Sequence, residues 1–271
     1  TDVREARLWF ERAAQSNYAA AEFFLGVFYD EGYDVDVDEP AAVKWFERAA
    51  EHGDVEALYV LAMHYNSGRG VVQDGKKCLE YIHKGVELNH AASLYFLGYC
   101  YYNGNIVDKD QKKAVAYYKQ AAELGHRDAQ YALGYCYDFG HGTETNYHEA
   151  FRWYYTAAVH NDPDAQYSVA EAFFYGNGVR QSYEKALEWY RHSARRRNAA
   201  AIYSIGYCYF NGYGVEADTA MAFEYYDKAA EMNDVSSQIA LGFYYGYGEG
   251  VEQNDTISAY WFQKAAESGN E

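Results

Sequence analysis

Apolar positions along this chain follow a helical period almost without interruption. Across 55–67 the residues Ala57, Leu61 and Tyr65 fall at i, i+4 and i+8, which predicts one helix. Across 39–51 the residues Ala42, Trp45, Phe46, Ala49 and Ala50 fall at i, i+3, i+4, i+7 and i+8, the single apolar stripe of a second kind of helix. Turn residues separate the two. Gly68 and Gly70 end the first kind, because glycine takes a left-handed cap without a Cβ penalty. Asp74 then stands where an N-cap is needed, as do Asp38, Asp110, Asn146, Ser182, Asp218 and Asn254. Gly53, Gly125 and Gly269, or Asn17, Asn89, Asn161 and Asn233, are placed to close the second kind at C′.

The same marks return every 36 residues. Trp9, Trp45, Tyr81, Tyr117, Trp153, Trp189, Tyr225 and Trp261 are in phase, as are Gly32, Gly68, Gly104, Gly140, Gly176, Gly212 and Gly248. A third series is Leu25, Leu61, Leu97, Leu133, Val169, Ile205 and Leu241, each followed by Gly or Ala. No insertion breaks the register. The expected organisation is one array over 1–271, a half unit at 1–17 followed by seven repeats starting near 18, 54, 90, 126, 162, 198 and 234. A helical hairpin of this size cannot bury its stripe alone, so neighbours must stack into an all-α solenoid of antiparallel helix pairs.

The recurring pattern A-x-x-x-L-G-x-x-Y-x-x-G-x-G-V-x-x-D-x-x-x-A-x-x-W/Y-F/Y-x-x-A-A-x-x-G resembles the Sel-1-like repeat, a relative of the tetratricopeptide repeat, over essentially the whole chain. The resemblance implies a right-handed α/α superhelix with the first helices on the concave side. It also implies adaptor work without catalysis: membrane-protein quality control, cell-wall synthesis, bacterial signalling or host interaction.

Composition narrows the partner. There are 23 Lys+Arg against 40 Asp+Glu, a net charge of -17, which repels nucleic acid and anionic lipid and favours a basic protein or peptide ligand. No apolar run approaches the ~18 residues of a membrane-spanning helix, so no direct membrane insertion is expected. The chain opens on Thr1 rather than Met, and its end repeats lack obvious polar caps, so it is expected to be a segment of a longer protein. Cys100, Cys136 and Cys208 share one repeat position and are too widely spaced along the stack for disulfides; Cys78 lies elsewhere. A secreted cysteine-rich subfamily carries paired cysteines where this chain has, for example, Leu94 and Ala122. Buried free thiols, which favour a cytoplasmic compartment, are therefore expected.

Candidate chemistry is sparse. The nine His are scattered, and His90 and His126 read as surface turn residues; no metal or other cofactor is expected. Asp34, Asp36 and Asp38 alternate as in a calcium loop, but Glu39 replaces the required Gly and Trp45 the acidic twelfth ligand. No nucleophile–base pair or phosphate loop is present, so the chain is expected not to be an enzyme. Arg191, Arg195, Arg196 and Arg197 stand out in an acidic chain: favourable charge at a helix C-terminus, or a docking patch for an acidic segment.

The sharpest signal is 32 Tyr. With Leu25 and its equivalents at 0°, positions 23, 27 and 30 of each repeat point about 140–200° away, where water is expected. Yet 13 of those 21 places are aromatic, where the composition predicts about four. Outward positions of the second helix are ordinary polar ones, such as Lys44, Glu47, Arg48 and Glu51, which assigns the excess to one face. The candidate partner-binding residues are Tyr95, Tyr99, Tyr102, Tyr131, Tyr135, Tyr167, Glu171, Phe174, Tyr203, Tyr207, Phe210 and Phe243. A protein-interaction scaffold is the leading reading, with a peptide along this face. A carbohydrate-binding module is the alternative, although all five Trp sit on the second-helix core stripe. A structural spacer in a larger protein is the other.

Overall fold

A computed structural model describes residues 2–269; Thr1, Asn270 and Glu271, at the ends of the expected array, lie outside the described residues. Among the described residues there are fifteen α-helices and no strand. They are α1 (Val3–Ala14), α2 (Ala19–Glu31), α3 (Glu39–Glu51), α4 (Val55–Ser67), α5 (Gly75–Glu87), α6 (Ala91–Asn103), α7 (Gln111–Glu123), α8 (Arg127–Phe139), α9 (Tyr147–Val159), α10 (Pro163–Tyr175), α11 (Tyr183–Ala194), α12 (Ala199–Asn211), α13 (Thr219–Glu231), α14 (Val235–Tyr247) and α15 (Asp255–Ser268). The chain divides into two compact units, the first ending at Ala129 and the second beginning at Gln130. Within the first, α2 packs on α3, α4 on α5 and α6 on α7; within the second, α10 packs on α11, α12 on α13 and α14 on α15. None of the described helices is long and apolar enough to cross a membrane.

Local chemistry explains the helix ends. Asp38, Asp74, Asp110, Asn146, Ser182, Asp218 and Asn254 each accept a backbone N–H in the first turn of the helix they precede, as the spacing predicts. Asn17, Asn89, Asn161, Asn233, Gly53 and Gly125 all take φ between 56° and 94°, the left-handed closure expected of them. Two residues depart from that pattern. α15 runs on to Ser268 and leaves Gly269 right-handed at φ −86°, not at a left-handed C′. Arg197 adopts φ 63° with neither glycine's freedom nor an Asn side chain to ease it.

Leu25, Leu61 and Leu97 in the first unit, and Leu133, Val169, Ile205 and Leu241 in the second, are fully buried. The residue after each is small because a ring lies on it: a Cβ on Gly98 would stand 2.7 Å from Tyr118, and one on Gly134 2.7 Å from Tyr154. The turns interlock with equal tightness. Gly70, at φ +70°, lies on the backbone of Glu39, the first residue of α3. At the equivalent place in the next repeat stands Ile106, and the helix it meets opens on Gly75, where an added Cβ would lie 3.1 Å from Ile106 Cγ2.

The aromatic excess is not confined to one face. Tyr65 stacks on Tyr81, Tyr101 on Tyr117 and Tyr209 on Tyr225, with centroids 5.6–5.7 Å apart. These pairs join the first helix of a repeat to its second. Cations cover them: Lys77 lies over Tyr65, Lys113 over Tyr101 and Lys228 over Tyr225. The tryptophans at the same register are covered likewise, Arg48 over Trp45 and Lys264 over Trp261. Of the five, Trp153 is buried, while Trp9 is exposed rather than seated in a core stripe.

Candidate functional site

The three outward series of the first helices separate by burial. Tyr95, Tyr131, Tyr167 and Tyr203 are half-buried. Each leans on an aromatic ring of its own repeat's second helix, Tyr95 on Tyr118, Tyr131 on Tyr154, Tyr167 on Tyr190 and Tyr203 on Tyr226, at 5.4–5.8 Å. This series is packing as much as surface. The next series is presented: Tyr99 is 44% exposed, Tyr207 39% and Phe243 47%, while Tyr135 is half-buried against Phe139 and His141. In the third, Phe210 is 38% exposed and Tyr102 half-buried. Phe174, read from the sequence as an outward residue, is only 9% exposed. It is enclosed by Tyr175, Tyr183, Tyr207 and Tyr213, so it supports that face rather than lining it.

The second unit holds a cavity of about 450 Å³ beside its own first-helix tyrosines, between α8, α9 and α10. Tyr131, Tyr135 and Tyr167 line it, and so does Glu171. Of the residues singled out by helical angle, these four lie together on its wall. That angle does not reveal the remaining wall, to which Asp138, Tyr147, Tyr154 and Tyr175 contribute. Tyr154 donates its hydroxyl to Asp138 Oδ2 at 3.3 Å. Tyr190 donates to Glu171 Oε1, and Tyr167 also bonds the Glu171 carboxyl. Burial pushes both carboxyls above the ordinary range, and the phenol donors only partly offset it. Burial and the adjacent carboxylates push the Tyr154, Tyr167 and Tyr190 phenols up in turn, so these remain protonated donors. Among the described residues, neither Asp138 nor Glu171 forms an ion pair.

The arginine cluster divides. Arg191 and Arg195 line a cleft of about 360 Å³ together with Ile202, Tyr225 and Lys228. Arg191 also reaches the Tyr209 hydroxyl at 3.2 Å. Arg196 and Arg197 are exposed but do not line the cleft. Lys228, one repeat away, escapes a reading that follows runs of charge.

His90 and His126 are more than turn residues. His126 stacks on Tyr95 at 4.7 Å, and burial lowers its basicity. His90 bonds Ser93 and Glu56 and lies edge-on to Tyr59. Asp34, in the acidic turn, pairs with Arg7 at 3.0 Å. All four cysteines are free and buried. Burial pushes Cys78 up to about 11 and Cys100, Cys136 and Cys208 up to about 12. All four are therefore expected to resist a thiol reagent in the native protein and to titrate fully in denaturant without reductant. A pair that stays unreactive in denaturant would contradict the packing described above.

Comparison with known proteins agrees with the helical-repeat fold. The Sel1 repeat family matches residues 1–18, 19–54, 55–90, 91–126, 127–162, 163–198, 199–234 and 235–270. The fold is similar to a protective antigen of uropathogenic Escherichia coli strains displaying an SLR fold, at TM-score 0.90 and 32% identity over 99% of this chain. This chain spans only 58% of that antigen's length. It is also similar to a Sel1 repeat protein from Oxalobacter formigenes, at TM-score 0.76 and 30% identity over 98% of this chain and 78% of that one. No curated protein matches. With the repeat matched along its whole length and the solenoid fold shared at this identity, the chain belongs to the Sel1 repeat family.

Proposed function

We propose that the chain is a non-catalytic adaptor that receives an extended peptide or a partner helix along the tyrosine-rich face of its first helices. Sel1 repeats are in general protein-interaction scaffolds, which supplies the coarse function. The observation that carries the finer reading is the cavity walled by Tyr131, Tyr135 and Tyr167, together with the exposure of Tyr207 and Phe243 in the same unit. Rings of this kind give large rigid contact area, and their hydroxyls can bond a ligand backbone. The charge of -17 favours a basic ligand and hastens its encounter. The Arg191–Arg195–Lys228 cleft, opposite in sign, would suit an acidic segment of a second partner.

The test is selection of a random dodecapeptide display library on the whole chain, followed by replacement of Tyr99, Tyr135 and Tyr207 with Ser together. Binding of the selected peptides is expected to fall by more than about thirtyfold, since a single aromatic anchor contributes about 2 kcal/mol or more. Helical circular dichroism should be retained. Failure to select any peptide, or undiminished binding by the folded triple variant, would overturn the proposal.

A further inference from the structure

Position by position, the cavity of the second unit has a filled counterpart in the first repeat. Asp138 occupies the register of Asp30, three repeats earlier. Asp30 is buried, and the chain supplies its counter-charge: Arg69 Nη2 lies 3.3 Å from Asp30 Oδ1, and His64 Nε2 faces the same oxygen at 3.5 Å. Arg69 also spans to Glu39 at 3.0 Å and donates to the Asp30 carbonyl at 3.1 Å. The residues in register with His64, Arg69 and Glu39 are Ala172, Asn177 and Tyr147. All three line the cavity. The side chains that hold a guanidinium over Asp30 are thus replaced by a methyl, a short amide and a ring, while the carboxylate stays.

A second carboxylate is added where no other copy has one. Glu171 stands in register with Val27, Met63, Tyr99, Tyr135, Tyr207 and Phe243. Two half-buried carboxylates therefore share a cavity whose remaining walls are largely aromatic, with six phenol rings among them. Aromatic faces and carboxylates together are the chemistry that recognises a cation, and a planar guanidinium can stack on a ring while its N–H groups meet a carboxylate. Neutral phenol donors lessen the cost of burying the carboxylates without neutralising them.

We infer that this cavity seats one arginine side chain of the bound peptide, with Asp138 and Glu171 as its counter-charges and Tyr131, Tyr135 and Tyr167 as its walls. The assignment rests on the peptide-scaffold reading above and specifies the residue that anchors the ligand. It also gives the costly carboxylate at position 171 a role that the fold does not. A group held only for structure should stabilise the fold, whereas one held for a ligand can cost stability in its absence.

The experiment uses the whole chain and arginine amide as probe, titrated by calorimetry and by saturation-transfer nuclear magnetic resonance. Weak saturable binding is expected, with no binding of citrulline amide, which keeps the shape and loses the charge. Glu171→Gln and Asp138→Asn should each weaken it by about tenfold or more. A folding control accompanies the binding. Glu171 faces Tyr167 and Tyr175 on its own helix, Tyr190 on α11 and Cys208 on α12, shares the cavity with Tyr131, Tyr135 and Asp138 of α8 and Tyr147 and Tyr154 of α9, and its carboxyl is raised by burial. Ionisation therefore costs the folded state at neutral pH, and the Glu171→Gln variant is expected to melt at or above the wild-type temperature there. That margin should vanish as pH falls below the ordinary carboxylate range, where both forms are neutral. Failure of arginine amide to bind, equal binding by citrulline or lysine amide, or unchanged binding by both variants would overturn the assignment. If display still yields tyrosine-dependent peptides in that case, the scaffold reading stands without it. If arginine amide binds as expected but no peptide is selected, the pocket stands and the scaffold reading falls.

Discussion

Gly178→Ala is expected to destabilise the second unit by at least about 3 kcal/mol, measured by urea unfolding followed at the helical band. Two independent costs combine. The residue sits at φ +69°, where a Cβ is strained whatever the surroundings. That Cβ would also stand 2.0 Å from the carbonyl oxygen of Tyr147, which is backbone at the start of α9 and cannot swing aside. Gly248→Ala is the internal comparison, because it shares the left-handed φ of +67° while its nearest neighbour, Gln253 Cβ, is 3.2 Å away. It should cost less, nearer the ~1–2 kcal/mol of the backbone conformation alone. Equal losses at the two glycines would show that the turn contact on α9 carries no energy. Because the repeats stack one on the next, the glycine 178 variant is also expected to unfold in a broadened transition.

Leu133→Ala should cost roughly 2–5 kcal/mol, and Ile205→Ala a similar amount. Both side chains are fully buried, and neighbouring rings fix the space around them, so little collapse is available to refill it. The exposed tyrosines supply the contrast. Tyr99→Ser should change stability by about 0.5 kcal/mol or less, and Tyr207→Ser, whose ring also covers Phe174, by more than that but by less than Leu133→Ala. A loss at Tyr207 as large as that at Leu133 would make the aromatic face a packing element and remove it from consideration as a recognition surface.

How far these features were legible depends on their period. The helix pair, its N-caps and its left-handed closures recur every 36 residues, and each is dictated by one residue's own backbone preference. Such rules survive without coordinates, and they fail where the local preference is overridden, as at Arg197 and Gly269. The exposure of Tyr99 in the first unit and of Tyr207 in the second was legible from helical angle alone. Phe174 was not, because angle says where a side chain points and not what closes over it; Tyr183 opens α11 and Tyr213 lies in the turn after α12. The stacked pairs such as Tyr65–Tyr81 were half legible: their phase was plain, but their cationic cover depends on lysines at another register. The cavity was least legible, since it is made by what is missing. Ala172 and Asn177 are unremarkable residues until they are set beside His64 and Arg69, which fill the same space three repeats earlier.

The fit between Gly75 and Ile106 bears on how such a chain can be rebuilt. Ile106 occupies a turn position that carries Gly70, Gly178 and Gly214 in other copies, and it is accommodated because the helix it meets opens on glycine. Those glycines meet Glu39, Tyr147 and Tyr183 instead. Copies that look interchangeable by their shared marks therefore carry obligations to the copy before them. A chimera that grafted the turn holding Ile106 behind a helix beginning with Tyr147 would drive a branched side chain into an occupied site, although every shared landmark was in place. The smallest part that can be transplanted is not the repeat but the junction, one helix start together with the turn that closes on it.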